Sequence, residues 1–412
     1  MKILFLHNNF PAQYRHVARH LAADKENQVV FASHRAPAGI PGVKNILYKP
    51  HRDAKAETHH YLRTVESAVL NGQAVFRTCL DLKQKGFVPD IICAHSGWGN
   101  SLYVKEVFPK ARLLSYFEWY YHARGSDADF LDPDSIGHDD TARIHSKNIP
   151  LLMDLATSDW GQVPTGFQLS QIPAIFHSKL SVLHDGVDTD FFRPNPDAPA
   201  KIGNLDLSHA GEILTYATRG MEPYRGFPEF MRAAALLMKH RPNLHVLVVG
   251  EDRVAYGKRL PEGDSWGKRM VAELKPDPER LHFTGPLPYS EYVKVLQFST
   301  VRAYLTVPFV LSWSLIESLA CGGLVVGSDT APVREIIRHG ENGFLAPFHD
   351  PDALAAHIEE VLDSVSELQD IRNTARKTAV DRYALKKMLP RQLHLIEDVA
   401  AGRLPPREKA AN

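Results

Sequence analysis

FVLSWSLIESLACGGLVVGSDTAPVREIIRHGENGF, residues 309–344, carries the local grammar that decides the fold. An apolar helical stretch ends at Cys321-Gly322-Gly323, where the glycines let the chain turn tightly. LVVGSDT then reads as a short strand buried on both faces, with its following loop. Pro332 suits the first position of the helix PVREIIRH, Gly340 its stop, and Asn342-Gly343 a turn into another short strand. The result is a βαβ-like unit, whose ligand belongs off the carboxyl ends of the strands. Glu317 stands amid these apolar residues, and a carboxylate buried there needs a partner.

Working outward, nearly continuous apolar runs recur along the chain: KILFLH, NQVVFAS, DIICAH, RLLSYF, EILTYAT, LHVLVVG and VRAYLTV. Each is followed by a polar or small-residue loop and then a helical pattern. Strands without alternation are buried on both faces, and interleaved helices imply parallel sheets of the α/β type. Pro194, Pro196 and Pro199 mark a linker between two sets of such runs. The predicted organisation is therefore two doubly wound, Rossmann-like domains in series, facing each other across a cleft. The first covers residues 1–195 and the second 196–387, with a tail helix at about 388–412, resuming its period after Pro390, packed back on the first domain.

Bulk composition narrows the function classes. The 412 residues exceed one ordinary core and suit two domains. Lysine plus arginine and aspartate plus glutamate both number 48, so no charge excess points to nucleic acid. Cys79, Cys93 and Cys321 are far apart, which argues against a disulfide framework or a zinc site and fits a reducing cytoplasm. The opening MKILFLHNNF reads as a first strand rather than a signal peptide, and no run reaches the roughly 18 apolar residues of a membrane span. Peripheral attachment at the inner face of a membrane stays open; Arg15, Arg19, Lys25, Arg35, Lys44 and Lys49 would suit an anionic bilayer without forming a cluster.

Three constellations can carry chemistry, and each has a structural alternative. Ser314-x-x-Glu317 matches a capping box, whereas Glu317 near a binding cleft could accept both hydroxyls of a ribose. TYATRGMEPYRGF follows a strand and precedes a helix, so Arg219 and Arg225 suit an anionic diphosphate, with Gly220 and Gly226 giving backbone freedom. The alternative is a solvated loop with two surface arginines. His95 ends a strand and is followed by Ser-Gly-Trp-Gly, a loop that lets backbone approach a ligand; it also reads as a satisfied strand-end histidine. SDADFLDPDS and VDTDF look like metal-binding Asp-x-Asp but sit where turns are expected, and no metal is assigned. The first strand lacks a GxGxxG, which argues against a nicotinamide or flavin enzyme.

Taken together, these segments resemble the retaining glycosyltransferases of family four, which have the GT-B fold. VLHDGVDTDFFRP is similar to the end of that family's first domain, RGMEPYRGF to its phosphate loop, and SLIESLACGGLVVGSDTAPVREII…GENGFL to its nucleotide-binding core. FPAQYRHVARHLA and PTGFQLSQIP resemble a bacterial subgroup.

The resemblance implies roles. Glu317 would hold the donor ribose, while Arg219 and Arg225 would neutralise the leaving diphosphate, Arg225 standing where lysine is usual. His95 would sit beside the transferred sugar, at its primary hydroxyl. Donor contacts would also come from Phe309, Val310, Leu311, Ser312, Ser314, Gly250 and Gln13. The acceptor would bind the first domain near Gly97, Trp98, Gly99, Glu118 and Tyr120, although the aromatic members read equally as packing residues.

Two departures stand out. The first glutamate of the family's E-x7-E motif is Phe309 here, followed by Val310-Leu311-Ser312 in place of Gly-Phe-Gly. Pro11-Ala12-Gln13 replaces the usual glycine pair of the first loop.

The implied activity is transfer of a hexosyl group from a UDP- or GDP-sugar to an acceptor hydroxyl, with no cofactor required. The acceptor would be a saccharide, a lipid-linked glycan or a small molecule. Two other readings are an epimerase of the same fold acting on a nucleotide sugar, and a non-catalytic nucleotide-sugar binder.

Overall fold

KILFLH folds into the first strand, β1 (Lys2–Leu6), and its apolar residues Ile3 to Leu6 are fully buried because the sheet is covered on both faces. The computed structural model describes residues 1–35 and 39–403. Side chains alternate across the sheet: Ile3 and Phe5 join one core, Leu4 and Leu6 the other. Burial of side chains of this size is worth about 1.5–3 kcal/mol each, so a strand of this kind can hold its place without propensity.

The first sheet continues with β2 (Gln28–Ser33), β3 (Val43–Leu47), β4 (Ile91–His95), β5 (Arg112–Tyr116), β6 (Trp160–Val163) and β7 (Leu180–Val182). All pairings are parallel, in the order β3-β2-β1-β4-β5-β6-β7. Helices Arg15–Ala23 and Arg63–Gln84 cover opposite faces, through Val17 and Leu21 on one and Val75, Cys79 and Leu82 on the other. The order reverses between β1 and β4, so both carboxyl ends open at a topological switch point.

A small hairpin, β8 (Lys201–Ile202) and β9 (Leu205–Asp206), precedes the second sheet. That sheet comprises β10 (Glu212–Gly220), β11 (Leu244–Glu251), β12 (Leu281–Gly285), β13 (Val301–Tyr304), β14 (Val325–Ser328) and β15 (Phe344–Ala346). Its order is β12-β11-β10-β13-β14-β15, again all parallel, with the switch point between β10 and β13. The decisive stretch forms helix Trp313–Ala320, strand β14, the short helix Ala331–Arg334 and strand β15. The helix expected over PVREIIRH is confined to one turn, with Pro332 in its first turn and Gly340 at φ 76°.

The chain divides into two compact units, Met1–Asp185 together with the chain from Lys386 onward, and Gly186–Leu385. This division precedes the proline-rich linker at which the sequence suggested it. The terminal helix, Leu385–Ala400, contains Pro390 rather than beginning after it. Its Met388, Leu395, Ile396 and Val399 enter the first unit's core beside Tyr14 and Val17. The last part of the expected tail helix, residues 404–412, lies outside the described residues. Among the described residues no helix is long and apolar enough to cross a membrane.

Candidate functional site

In the second unit, chemistry-bearing residues gather where β10 and β13 end. Arg219 is exposed and belongs to the last turnout of β10 rather than to a free loop. The pairing with β11 shifts there, the four residues Ala217 to Gly220 facing the three from Val249 to Glu251. Arg225 is buried, 6% exposed, immediately ahead of helix Phe227–His240. Its Nη1 donates to Thr306 Oγ1 at 2.7 Å and to the Val310 carbonyl at 2.9 Å. The guanidinium lies over the Tyr256 ring at 5.0 Å and near the Phe309 ring at 5.8 Å. Gly226, at φ 62°, makes the turn into the helix against Leu305, where a Cβ would collide. The positive end of that helix and the guanidinium therefore face the same strand ends.

Glu222, between the two arginines, was not anticipated. It is fully buried and its carboxylate accepts the backbone N–H groups of Ala255 (3.0 Å), Tyr256 (3.0 and 3.1 Å) and Gly257 (2.7 Å). These contacts pin the loop after β11 and thereby set Tyr256 above Arg225. Phe309, in place of the expected carboxylate, packs its ring edge-on against Tyr224 (5.8 Å) and Tyr256 (5.2 Å). An aromatic enclosure thus surrounds the cation where an acidic group would otherwise stand.

The capping-box reading of Glu317 does not hold. The helix starts at Trp313, its N-cap is Ser312, and Ser312 Oγ accepts the Ser314 N–H at 3.3 Å. Glu317 lies two residues beyond Leu315, the position from which a side chain reaches back to that cap. It is 5% exposed, and its charge helps raise the pKa of the Tyr292 phenol and the Cys321 thiol, both shifted first by burial.

The amides expected to meet a donor are engaged within the loop itself: Ser312 N–H donates to Tyr304 Oη at 2.9 Å, and Ser314 N–H goes to the cap. Leu311 packs on the apolar core. Gly250, at φ 129°, has a purely internal reason to be glycine, since a Cβ would strike the Thr218 carbonyl of β10.

In the first unit, His7 and His95 close β1 and β4 at the other switch point. They lie edge to face, 4.9 Å between ring centroids. His95 donates from Nδ1 to the Ser96 carbonyl at 2.8 Å, stacks on Trp98 at 4.0 Å, and places Nε2 3.5 Å from Glu118 Oε2. Gln13 Nε2 reaches the other oxygen of Glu118 at 3.4 Å. His7, which sequence reasoning passed over as a strand end, accepts the Asn9 N–H on Nδ1 at 2.8 Å. Burial, followed by the charge of His95, holds its pKa well below the usual histidine value.

Beneath them Asp154 was also missed. It is fully buried and fixes the loop after β4 by accepting Ser96 Oγ and Ser101 Oγ at 2.7 Å and the Gly97 N–H at 3.2 Å. Its burial raises the carboxyl pKa against the opposing effect of those hydrogen bonds. Gly97 and Trp98 border a cavity, whereas Gly99 is glycine because a Cβ would enter the Ala68 carbonyl of the neighbouring helix. Tyr120 is a core residue, packed with Phe117, Leu151 and Leu155. Among the described residues no group of three or more histidine, cysteine or acidic side chains is arranged to hold a metal.

Residues 25–192 match the glycosyl transferase family 4 group, and residues 206–378 match the glycosyl transferases group 1. A D-inositol 3-phosphate glycosyltransferase of Thermobispora bispora is 30% identical over 195 residues, 46% of this chain and 44% of that protein. The corresponding protein of Mycolicibacterium gilvum is 28% identical over 202 residues, 48% of this chain and 43% of that protein. The chain thus matches less than half the length of these relatives.

Among solved structures, Anabaena Alr3699/HepE in complex with UDP aligns with 97% of this chain and 100% of its own, at TM-score 0.69 and 15% identity. Sucrose-phosphate synthase of Thermosynechococcus elongatus aligns with 97% and 99%, at TM-score 0.70 and 16% identity. At such identity the likeness shows the fold, the two-domain GT-B architecture.

Proposed function

The chain belongs to the group 1 glycosyl transferases of family 4, and on that premise we propose that it transfers a hexosyl group from a nucleoside diphosphate sugar to an acceptor hydroxyl. The observation that carries the reading is Arg225, a buried guanidinium held by Thr306 and Val310 at the carboxyl ends of β10 and β13, next to a helix N-terminus. A cation fixed there before any ligand arrives stabilises charge on a departing diphosphate without reorganising. Arg219 supplies a second, exposed positive charge at the rim, and Glu317 is the residue assigned to the ribose hydroxyls. Uridine is the proposed base, supported by the solved neighbours whose complexes contain UDP or UDP-glucose.

In the proposed reaction the bond from the anomeric carbon to the diphosphate oxygen breaks, and its electron pair leaves with the diphosphate. The acceptor oxygen bonds to the same carbon on the same face, and its proton passes to the departing phosphate. No protein nucleophile is assigned. Arg219→Ala and Arg225→Ala should each lower kcat by about 10²–10³. His95, with Nδ1 tied to Ser96, keeps Nε2 for a sugar hydroxyl or for Glu118.

Thermal denaturation of wild type and Glu317→Ala with UDP, GDP, ADP and NAD tests the donor half. UDP at 100 times its Kd should stabilise wild type by about 2.7 kcal/mol and leave the variant unchanged. No stabilisation by any nucleotide would overturn the reading.

A further inference from the structure

We propose that the cavity of about 230 Å³ at the carboxyl ends of the first sheet is the acceptor site, and that it takes an uncharged cyclic polyol, such as the terminal ring of a neutral glycan, in preference to a phosphorylated one. The inference rests on the transferase reading and adds to it the chemical class of the acceptor.

Size comes first. The cavity far exceeds the ~15 Å³ that holds one water and falls below the ~300 Å³ at which pockets for drug-sized ligands begin. One sugar ring is the matching unit.

The walls come next. On one side Trp98 offers an aromatic face, and Leu70 and Pro50 add apolar surface suited to the C–H face of a ring. On the floor lies a fixed amide network. Asn71 Nδ2 donates to the Trp98 carbonyl at 2.8 Å and to Asn8 Oδ1 at 3.2 Å, and it also bonds Asn100 Oδ1. Tyr48 Oη lies 3.1 Å from both Asn8 Oδ1 and Asn100 Oδ1. His34 Nε2 meets Asn71 Oδ1 at 2.9 Å; because the Asn71 nitrogen is the donor to the Trp98 carbonyl, its oxygen accepts, and His34 carries the proton on Nε2. Orientation of these neutral groups is therefore set before a ligand enters, which lowers the cost of binding hydroxyls.

Charge decides the class. The formally charged lining residues are Arg52 and Asp53, one of each sign. Arg52 is already committed: its Nη1 is 2.7 Å from Glu66 Oε1 and donates to the Asp53 carbonyl at 2.9 Å. Glu66 is itself bound by Thr58 and by the Lys55 N–H at 3.3 Å, and these bonds with Arg52 hold its pKa below the usual carboxylate value. A phosphate entering here would face Asp53 beside a cation whose charge Glu66 already balances. Neutral hydroxyls face donors and acceptors alone.

Ser67 permits a test without disturbing the core, because it lies exposed on helix Arg63–Gln84 at the cavity edge. Ligand-observed NMR titrations of the full chain, with UDP present, would use the methyl α-glycosides of glucose, galactose and mannose, myo-inositol, and myo-inositol 1-phosphate. At least one neutral probe should saturate wild type, and the inositol phosphate should bind more weakly than inositol. Ser67→Trp should weaken the neutral probe at least tenfold while the UDP-induced thermal shift stays unchanged. Glu66→Gln should release Arg52 and strengthen the phosphorylated probe several-fold.

Absence of binding by every neutral probe would overturn the proposal. So would tighter binding of the phosphate than of inositol in wild type, or wild-type affinity in Ser67→Trp. If the neutral probe binds and Ser67→Trp abolishes it, yet UDP shifts neither protein, the cavity stands and the transferase reading falls.

Discussion

Ala12 adopts φ 44°, a left-handed conformation that costs a residue with a Cβ roughly 1–2 kcal/mol. The first loop has thus lost its expected glycines without losing the backbone shape that glycine favours. Ala12→Gly should stabilise the protein by up to about 1 kcal/mol, less the extra freedom of the unfolded glycine, as read by chemical denaturation.

His7 gives a second residue-level test. Its folded pKa is depressed by burial, so the folded chain binds its proton more weakly than the unfolded chain does. Its contribution to stability is complete above the unfolded value of about 6.5 and is lost as pH falls below it, at up to about 1.4 kcal/mol per pH unit. His7→Gln, whose amide can still accept the Asn9 N–H, should flatten the slope of stability against pH between pH 6.5 and 5 relative to wild type. An unchanged slope would mean that His7 binds its proton equally well in the folded and unfolded chains.

Among elements, helix Trp313–Ala320 separates what sequence could and could not reveal. Its existence and its tight exit were legible in the apolar run and in Gly322 and Gly323. Gly322 takes φ 66°, and Gly323 leaves room for the Arg302 guanidinium, which a Cβ would strike. The start was misread because Ser314-x-x-Glu317 satisfies the capping pattern two residues inside the true cap. Ser312→Ala should therefore cost about 1 kcal/mol, whereas Ser314→Ala should cost at most a few tenths; equal losses would return the cap to Ser314. Glu222 escaped for a different reason. Its partners, Ala255, Tyr256 and Gly257, come from the next strand's loop, and no local pattern announces a carboxylate that binds backbone at such separation. Asp154 is similar, holding a loop that belongs to another strand. Short-range motifs exposed the arginines and His95; the acidic residues that position the loops around them became visible only with the tertiary pairing.

For the whole molecule, the two parallel sheets followed from runs such as IICAH and LHVLVVG, because a strand covered on both faces has no polar side to disguise it. The return of the tail helix to the first unit was also expected, whereas the boundary between the units falls at Asp185–Gly186, ahead of the prolines that suggested it. Helix Leu385–Ala400 supplies Met388, Leu395, Ile396 and Val399 to a core begun by Ile3 and Phe5. Deleting everything after Leu385 should leave the first unit unfolded while the second keeps its transition. Two-dimensional amide NMR would report this as loss of dispersed signals from residues of the first unit alone.

The same returning helix has a consequence for synthesis. A ribosome releases the chain from its amino end, and domains ordinarily become complete in that order. Here the first unit waits for residues beyond Lys386, so the unit begun first is the last to be finished. The second unit, continuous from Gly186 to Leu385, can close while its predecessor still exposes the apolar surface of Tyr14, Val17 and Leu21. During translation, holding chaperones should therefore engage the amino-terminal unit for longest, and stalling the ribosome just before Leu385 should enrich that captured state.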